Sequence, residues 1–184
     1  MLIGLCGKSG SGKSTLAKEI AAVRPDAVHY EIDKIGHQAM EIKEVQAEAV
    51  KCFGQQIITD GQIDRKKLAE IVFASRVEME KLSAVTWEHM KAAIDEIIQN
   101  NEDKVLILDW ILLSETPYFD MCDIKILLNA PYEVRKRRAS ERDNITDEEF
   151  SLREQASTEY DTDKFDMVVN AADIKEIRKL AERL

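Results

Sequence analysis

The most informative stretch of this chain is Leu2-Ile3-Gly4-Leu5-Cys6-Gly7-Lys8-Ser9-Gly10-Ser11-Gly12-Lys13-Ser14-Thr15. Its apolar start predicts a buried strand, and the residues after it, 16–20, are typical of a helix. Residues 7–14 fit the pattern G-x-x-x-x-G-K-S of a phosphate-binding loop between a strand and a helix. Such a loop points backbone N–H groups at phosphate oxygens, and the following helix adds the positive end of its dipole. The stretch therefore predicts a nucleotide site.

The loop is predicted to hold a nucleoside triphosphate through its glycines, hydroxyls and lysine, and by itself it does not separate a kinase from a GTPase, an ATPase motor or a nucleotide-sensing module. These residues are Gly7, Ser9, Gly10, Ser11, Gly12, Lys13, Ser14 and Thr15. Lys13 supplies a mobile positive charge for the β- and γ-phosphates. Ser14 is the predicted ligand of Mg²⁺, because a small hard cation takes oxygen ligands. A Gly/Ser turn that contains lysine by chance is the alternative, and the full spacing disfavours it.

The composition indicates an enzyme-sized domain. A chain of 184 residues can bury a sizeable core. Its net charge of −9 argues against a general nucleic-acid or membrane-surface binder, whose footprint is basic. The three cysteines are far apart, so no disulfide framework or zinc site is predicted. No apolar run approaches the roughly 20 residues of a membrane span, and we expect a cytoplasmic protein.

Apolar periodicity predicts alternating strands and helices. The predicted strands are 2–6, 28–32, 105–109, 124–129 and 168–170, and the predicted helices are 41–53, 64–75, 82–97, 131–142 and 174–184. This order favours one three-layer α/β/α domain of the P-loop NTPase class, with a parallel sheet of about five strands.

Three regions of that single domain, residues 1–184, are expected from the pattern. They are a core at about 1–35, 103–130 and 166–184, a helical acceptor-binding region at about 36–100, and a helical lid at about 131–163. In the longest helix, Leu82, Val85, His89, Ala93 and Ile97 form one stripe, which makes His89 a packing residue.

Asp33 is the candidate general base. It follows the second predicted strand, and ligands of an open α/β sheet gather at the carboxyl ends of strands. A carboxylate there can accept the proton of an acceptor hydroxyl or hold a metal-bound water. The alternative is a helix N-cap, a common role of aspartate. The nearby phosphate loop favours the catalytic role.

The helix at 131–142 carries a stripe of arginines. Arg135, Arg138 and Arg142 share one face, and Thr146 with Glu149 predicts a capping box for a further helix. Two helices with arginines on their inner side are typical of a lid that neutralises charge on a transferred phosphoryl group. The alternative is a solvated basic face.

A set of short motifs lies in a fixed order along most of the chain. Its members are Gly4–Thr15, Asp33, Phe53-Gly54, Asp60–Arg65, Val72-Phe73, Leu112-Leu113 with Glu115, Cys122-Asp123, Arg138, Arg142-Asp143, Gln155, Asp166 and Asn170. The set resembles the dephospho-CoA kinase family. The resemblance implies a P-loop kinase that transfers the γ-phosphate of ATP to the 3′-hydroxyl of dephospho-CoA, its small-molecule acceptor.

The resemblance also implies residue roles. Lys13 and Ser14 would bind ATP and Mg²⁺, and Asp33 would be the catalytic carboxylate. Arg138 and Arg142 would belong to the lid. Asn170 would lie near the adenine of ATP, a role that the residues alone do not indicate.

Several positions depart from the family pattern. Trp87-Glu88 replaces a His-Pro pair, Ile111 replaces a proline, and Thr158 and Asp161 stand where arginines are common. Two other hypotheses therefore stay open: a P-loop kinase for another nucleoside, nucleotide or small metabolite, and a nucleotide-binding regulatory protein without turnover. ATP is favoured over GTP as donor, because no Asn-Lys-x-Asp stretch occurs.

Overall fold

A five-stranded parallel sheet forms the centre of the computed structural model, which describes residues 1–184. In chain order the strands are β1 (Leu2–Cys6), β2 (Ala27–Glu31), β3 (Ile58–Thr59), β4 (Gln62–Ile63), β5 (Val105–Asp109), β6 (Ile124–Asn129) and β7 (Met167–Asn170). The order across the sheet is β2-β5-β1-β6-β7, and β3 and β4 form a separate hairpin. The prediction of about five parallel strands is confirmed.

Helices cover both faces of this sheet. They are α1 (Lys13–Val23), α2 (Ile32–Ala39), α3 (Lys43–Phe53), α4 (Arg65–Val72), α5 (Arg76–Gln99), α6 (Pro117–Met121), α7 (Tyr132–Asp143), α8 (Asp147–Gln155) and α9 (Ile174–Ala181). A short 3₁₀ helix at Leu113–Glu115 precedes α6. No helix combines the length and the apolar character that crossing a bilayer requires.

The central strands β1 and β5 are buried along their whole length, as their uninterrupted apolar sequences predict. One apolar layer joins the sheet to α1 and α9 through residues such as Leu16 and Ile177. The opposite layer joins it to α2, α5 and α6 through residues such as Ile32 and Met90. These two cores give the predicted three-layer architecture.

The helices α3 and α4 and the hairpin have an apolar cluster of their own. It contains Ala49, Phe53, Ile57, Leu68 and Val72. The hairpin turns at Asp60 and Gly61, whose φ angles are +52° and +77°. Sequence analysis indicates only a helix, a turn and a helix here, because two-residue strands are too short for a periodic signal.

The buried stripe of α5 differs from the predicted one. Thr86, Met90 and Ile94 are buried, whereas His89 is exposed, so its predicted packing role is wrong. The first half of α5 packs on the α3–α4 cluster, and its second half packs on the sheet. Because the two halves of α5 pack against different parts of the protein, a single stripe of residues does not describe the buried face of this helix.

Candidate active site

The phosphate loop lies between β1 and α1, where the motif predicts it. Gly10 and Gly12 have φ angles of +76° and +104°, a region that disfavours any residue with a Cβ. A Cβ on Gly10 would also overlap the carbonyl oxygen of Arg135, so the loop touches the backbone of α7. The loop backbone is thus fixed between the sheet and α7.

Lys13 is the first residue of α1 and is only 7% exposed. Its Nζ donates a hydrogen bond to the carbonyl oxygen of Gly7 at 2.8 Å, so the side chain folds back over the loop. Its positive charge favours the ionised forms of Asp33 and Asp109: it opposes the rise that burial causes in the pKa of Asp33 and helps to lower the pKa of Asp109. The lysine therefore lies where loop amides and two carboxylates meet.

Asp109, the last residue of β5, is a site residue that sequence analysis did not single out. Ser14 Oγ donates to Asp109 Oδ2 at 2.6 Å, and His29 Nε2 lies 3.3 Å from the same oxygen. Burial alone would raise the pKa of Asp109, but His29, Lys13 and Ser14 hold it below its usual value. The available signal was an acidic residue at the end of an uninterrupted apolar run.

Asp33 is the second residue of α2, two residues past the end of β2, so it does not end a strand as predicted. Glu31, the last residue of β2, occupies the N-cap position, so the N-cap alternative for Asp33 is wrong. Asp33 is exposed, yet the protein around its carboxyl limits hydration of the charged form and raises its pKa to about 6. Lys13 and Arg142 oppose this rise, and Asp109 adds to it.

Arg142 extends from the last turn of α7 toward the acidic residues. Its Nη2 lies 3.4 Å from Ser9 Oγ in the phosphate loop. Its pKa is raised, first by the hydrogen bonds to Asp143 and also by the charges of Asp109 and Asp33. One guanidinium thus lies near both the loop and the two carboxylates.

Arg138 connects the loop to the end of β7. Its guanidinium donates to the carbonyl oxygens of Ala171 and Ala172, each at 3.0 Å, and to that of Gly10 at 3.4 Å. Asn170 lies beside these carbonyls, where its Oδ1 accepts from the amide of Ala172 at 3.3 Å. The predicted adenine residue therefore shares this corner with Arg138.

The two helices of the predicted lid are tied to the loop by ion pairs. Arg135 is 7% exposed and contacts both carboxylate oxygens of Glu154, at 2.6 and 2.8 Å. Lys8 contacts Glu154 at 3.3 Å and Glu159 at 2.6 Å. The capping box of Thr146 and Glu149 is present at the start of α8, as predicted.

The structure gives the contacts of two residues that depart from the family pattern, Trp87 and Thr158. Trp87 is half-buried, and its ring centre lies 6.3 Å from that of Tyr118. Thr158 is buried, and its hydroxyl donates to Glu115 Oε1 at 2.8 Å. Arg76 donates to the same hydroxyl at 3.3 Å. An arginine of α5 therefore lies next to Thr158, the position where the family commonly has an arginine.

Comparison with known proteins identifies the family. The family model described as "Dephospho-CoA kinase" matches residues 1–176. A protein of that name from Fusobacterium nucleatum is 37% identical over 187 residues, which cover 100% of this chain and 96% of the relative. Another from Aquifex aeolicus is 39% identical over 158 residues, 82% of this chain and 77% of the relative.

A solved structure supports the fold alone. The dephospho-CoA kinase from Campylobacter jejuni matches with a TM-score of 0.64 at 24% identity, covering 99% of this chain and 94% of that chain. The motif order, the family match over nearly the whole chain and the similarity to the Fusobacterium protein agree with one another. The chain belongs to the dephospho-CoA kinase family, a family of phosphotransferases that use ATP as the phosphate donor.

Proposed function

We propose that this protein transfers the γ-phosphate of ATP to the 3′-hydroxyl of dephospho-CoA. The observation that carries this proposal is the meeting of Lys13, Arg142, Asp33 and Asp109 at the carboxyl ends of the central strands. Ligands of open α/β sheets bind at such an edge. Family membership supports the choice of acceptor.

The phosphate loop binds the donor. Its backbone amides surround the phosphates, and Lys13 turns from the Gly7 carbonyl to the β- and γ-phosphates. Asn170 lies at the end of β7, beside the carbonyls that Arg138 holds, and supports the adenine. Arg138 acts as a positioning residue, because its contacts fix the loop against this corner.

Mg²⁺ fits the pair formed by Ser14 and Asp109. A hydroxyl and a carboxylate 2.6 Å apart beside a phosphate loop are the oxygen donors that this cation prefers. When bound, Mg²⁺ neutralises charge on the donor phosphates. His29 orients the Asp109 carboxylate toward Ser14 through the contact at 3.3 Å.

Asp33 accepts the proton of the acceptor hydroxyl as transfer proceeds. The acceptor oxygen forms its bond to the γ-phosphorus while the bond to the bridging oxygen breaks, and ADP leaves. Arg142 stabilises the charge on the transferred group, since it lies near both Ser9 and Asp33. The accessible face of Asp33 admits the acceptor.

Two larger regions complete the proposal. Helices α7 and α8 act as the lid, supported by the contact of α7 with Gly10 and by the Lys8–Glu154 ion pair. Helices α2 to α5 line the acceptor side.

The free cysteines and the need for ATP favour the cytoplasm as the site of the reaction.

An acceptor panel tests the proposed function. ADP release is followed at fixed ATP and Mg²⁺ with dephospho-CoA, adenosine, AMP, deoxynucleosides and shikimate. Dephospho-CoA is expected to give the highest kcat/KM. Faster turnover of another acceptor would assign a different kinase activity to the same site, and ATP binding without any product would favour the regulatory alternative.

The acidic limb of the pH profile is a further prediction. Asp33 acts as a base only when ionised, and its pKa is raised to about 6. We expect kcat/KM for the acceptor to be level above this pKa and to fall about tenfold per pH unit below it. A profile that stays flat from pH 7 to pH 5 while the protein remains folded would contradict the base role.

The variant Asp109→Asn tests the predicted Mg²⁺ ligands. Losing the charge next to Ser14 should raise the Mg²⁺ concentration for half-maximal activity by about tenfold or more. Asp26→Asn is the matched control, since Asp26 is exposed and pairs only with Arg24. Equal Mg²⁺ requirements in both variants would remove Asp109 from the site.

A further inference from the structure

Arg76, Glu115 and Thr158 form a polar cluster that the proposed chemistry does not use. Arg76 begins α5, Glu115 ends the 3₁₀ helix after β5, and Thr158 follows α8. Arg76 Nη2 donates to Glu115, Arg76 Nη1 donates to Thr158 Oγ1 at 3.3 Å, and Thr158 donates to Glu115 at 2.8 Å. The cluster joins three regions that are distant in sequence.

The stability of α5 does not explain an arginine at this position. The N-terminus of a helix carries partial positive charge, which disfavours a cation in the first turn. Ser75 already caps the helix by accepting from the amide of Glu78. The other α5 cations with ion pairs, Lys81 and Lys91, bond acids on their own helix, whereas Arg76 also bonds two other elements.

The cluster lies beside the phosphate loop. Glu159, the residue after Thr158, contacts Lys8 of that loop at 2.6 Å, and Glu115 lies in the segment that follows the carboxyl end of β5. The Tyr160 hydroxyl donates to the carbonyl oxygen of Ile111 at 2.8 Å, which fixes its ring near the start of the phosphate loop. The cluster therefore lies at the same end of the sheet as the phosphate loop and Asp109.

Arg76 retains capacity for a ligand. Its side chain is 37% exposed and that of Glu115 is 33% exposed, whereas Thr158 is 3% exposed. A guanidinium has five N–H donors, and contacts to Glu80, Glu115 and Thr158 use three of them. The remaining donors belong to a fork that suits phosphate oxygens.

We propose that Arg76 binds the diphosphate of the acceptor and so selects acceptors that carry one. This inference rests on the proposed function. Dephospho-CoA presents a diphosphate next to the adenosine whose hydroxyl reacts, and that charge must be met on the acceptor side, away from Lys13 and Arg142. Glu115 and Thr158 hold the guanidinium in place until the diphosphate arrives.

The experiment compares the unchanged protein with the variant Arg76→Gln, which lacks the positive charge, and compares dephospho-CoA with adenosine, which lacks the diphosphate. Binding of dephospho-CoA and of adenosine is measured by calorimetry, with the donor site filled by a non-hydrolysable ATP analogue and Mg²⁺. Arg76→Gln should weaken dephospho-CoA binding about 10- to 100-fold and leave adenosine binding unchanged. Arg76→Lys, which keeps the charge but not the fork, should give an intermediate loss.

Lys81→Gln is the matched control, because Lys81 is on the same helix and pairs only with Glu78. It should bind both ligands like the unchanged protein. KM for dephospho-CoA should rise in Arg76→Gln, while KM for ATP and the thermal unfolding midpoint stay the same.

Equal losses for dephospho-CoA and adenosine would show a structural role and overturn the proposal. Unchanged dephospho-CoA binding in Arg76→Gln would overturn it as well. If the unchanged protein phosphorylates dephospho-CoA in either case, the proposed function survives. No phosphorylation by the unchanged protein would instead remove the proposed function itself.

Discussion

Replacing Lys13 with alanine is expected to lower phosphoryl transfer about a thousandfold or more. The ammonium group contacts the loop at the Gly7 carbonyl, whereas Arg142 contacts the loop at Ser9, so the arginine does not take the place of the lysine. Charge stabilisation in such an enclosed site contributes more than it would in water. Single-turnover transfer from radiolabelled ATP measures the loss.

The fold is expected to survive this change. Lys13 Nζ contacts only the Gly7 carbonyl among hydrogen-bond partners, and alanine is a good helix former at the start of α1. Lys18→Ala is the control of equal charge change, at an exposed position of the same helix. Transfer by Lys13→Ala at the rate of the control would refute the role of the lysine.

Replacing Asp33 with asparagine is expected to lower kcat about 10²- to 10⁴-fold, the usual contribution of a general base. Asparagine keeps the size of the side chain but cannot accept the proton of the hydroxyl. The dissociation constant of ATP should change by less than about threefold, because the donor is bound by the loop. Rapid-quench kinetics and calorimetry measure the two quantities separately.

Glu31→Gln is the control for this second variant. Glu31 is the neighbouring acid at the end of β2 and pairs with Lys34 at the surface. It should retain kcat and an acidic limb that moves to slightly lower pH, because the charge of Glu31 helps to raise the pKa of Asp33, whereas Asp33→Asn should lose that limb. Full activity of Asp33→Asn would transfer the base role to another group.

Much of the fold could be predicted from the sequence. The strands β1 and β5 are apolar runs, and β6 is apolar between Lys125 and Asn129; such runs are typical of strands covered on both faces. The phosphate motif gave the position of the first strand, loop and helix together. The short helices α2 and α6 were missed, since eight and five residues give too little periodicity.

The candidate site was only partly predictable. The loop residues, Asp33 and Arg142 could be proposed from the sequence because a motif or a charge pattern marks each of them. Asp109 was missed as a site residue because its role depends on which strand pairs with β1, and strand order is not written in local sequence. The ion pairs of Lys8 with Glu154 and Glu159 were not predictable either, because they form only in the tertiary fold.

The contacts of the three arginines on α7 also could not be predicted from the local sequence. Spacing placed Arg135, Arg138 and Arg142 on one face, but not their partners. Arg135 pairs with Glu154 of α8, and Arg138 bonds backbone carbonyls at the end of β7. Only Arg142 keeps its charge near Asp33, so its catalytic role is the one to test first among the three.

The most direct measurement of the central claim is a ³¹P NMR spectrum of the reaction with ATP, Mg²⁺ and dephospho-CoA. We predict a new phosphomonoester resonance, assigned to the 3′-position of the ribose, that grows in step with ADP and is missing in Lys13→Ala. A spectrum in which ATP is bound but neither ADP nor a 3′-phosphomonoester accumulates would contradict the claim.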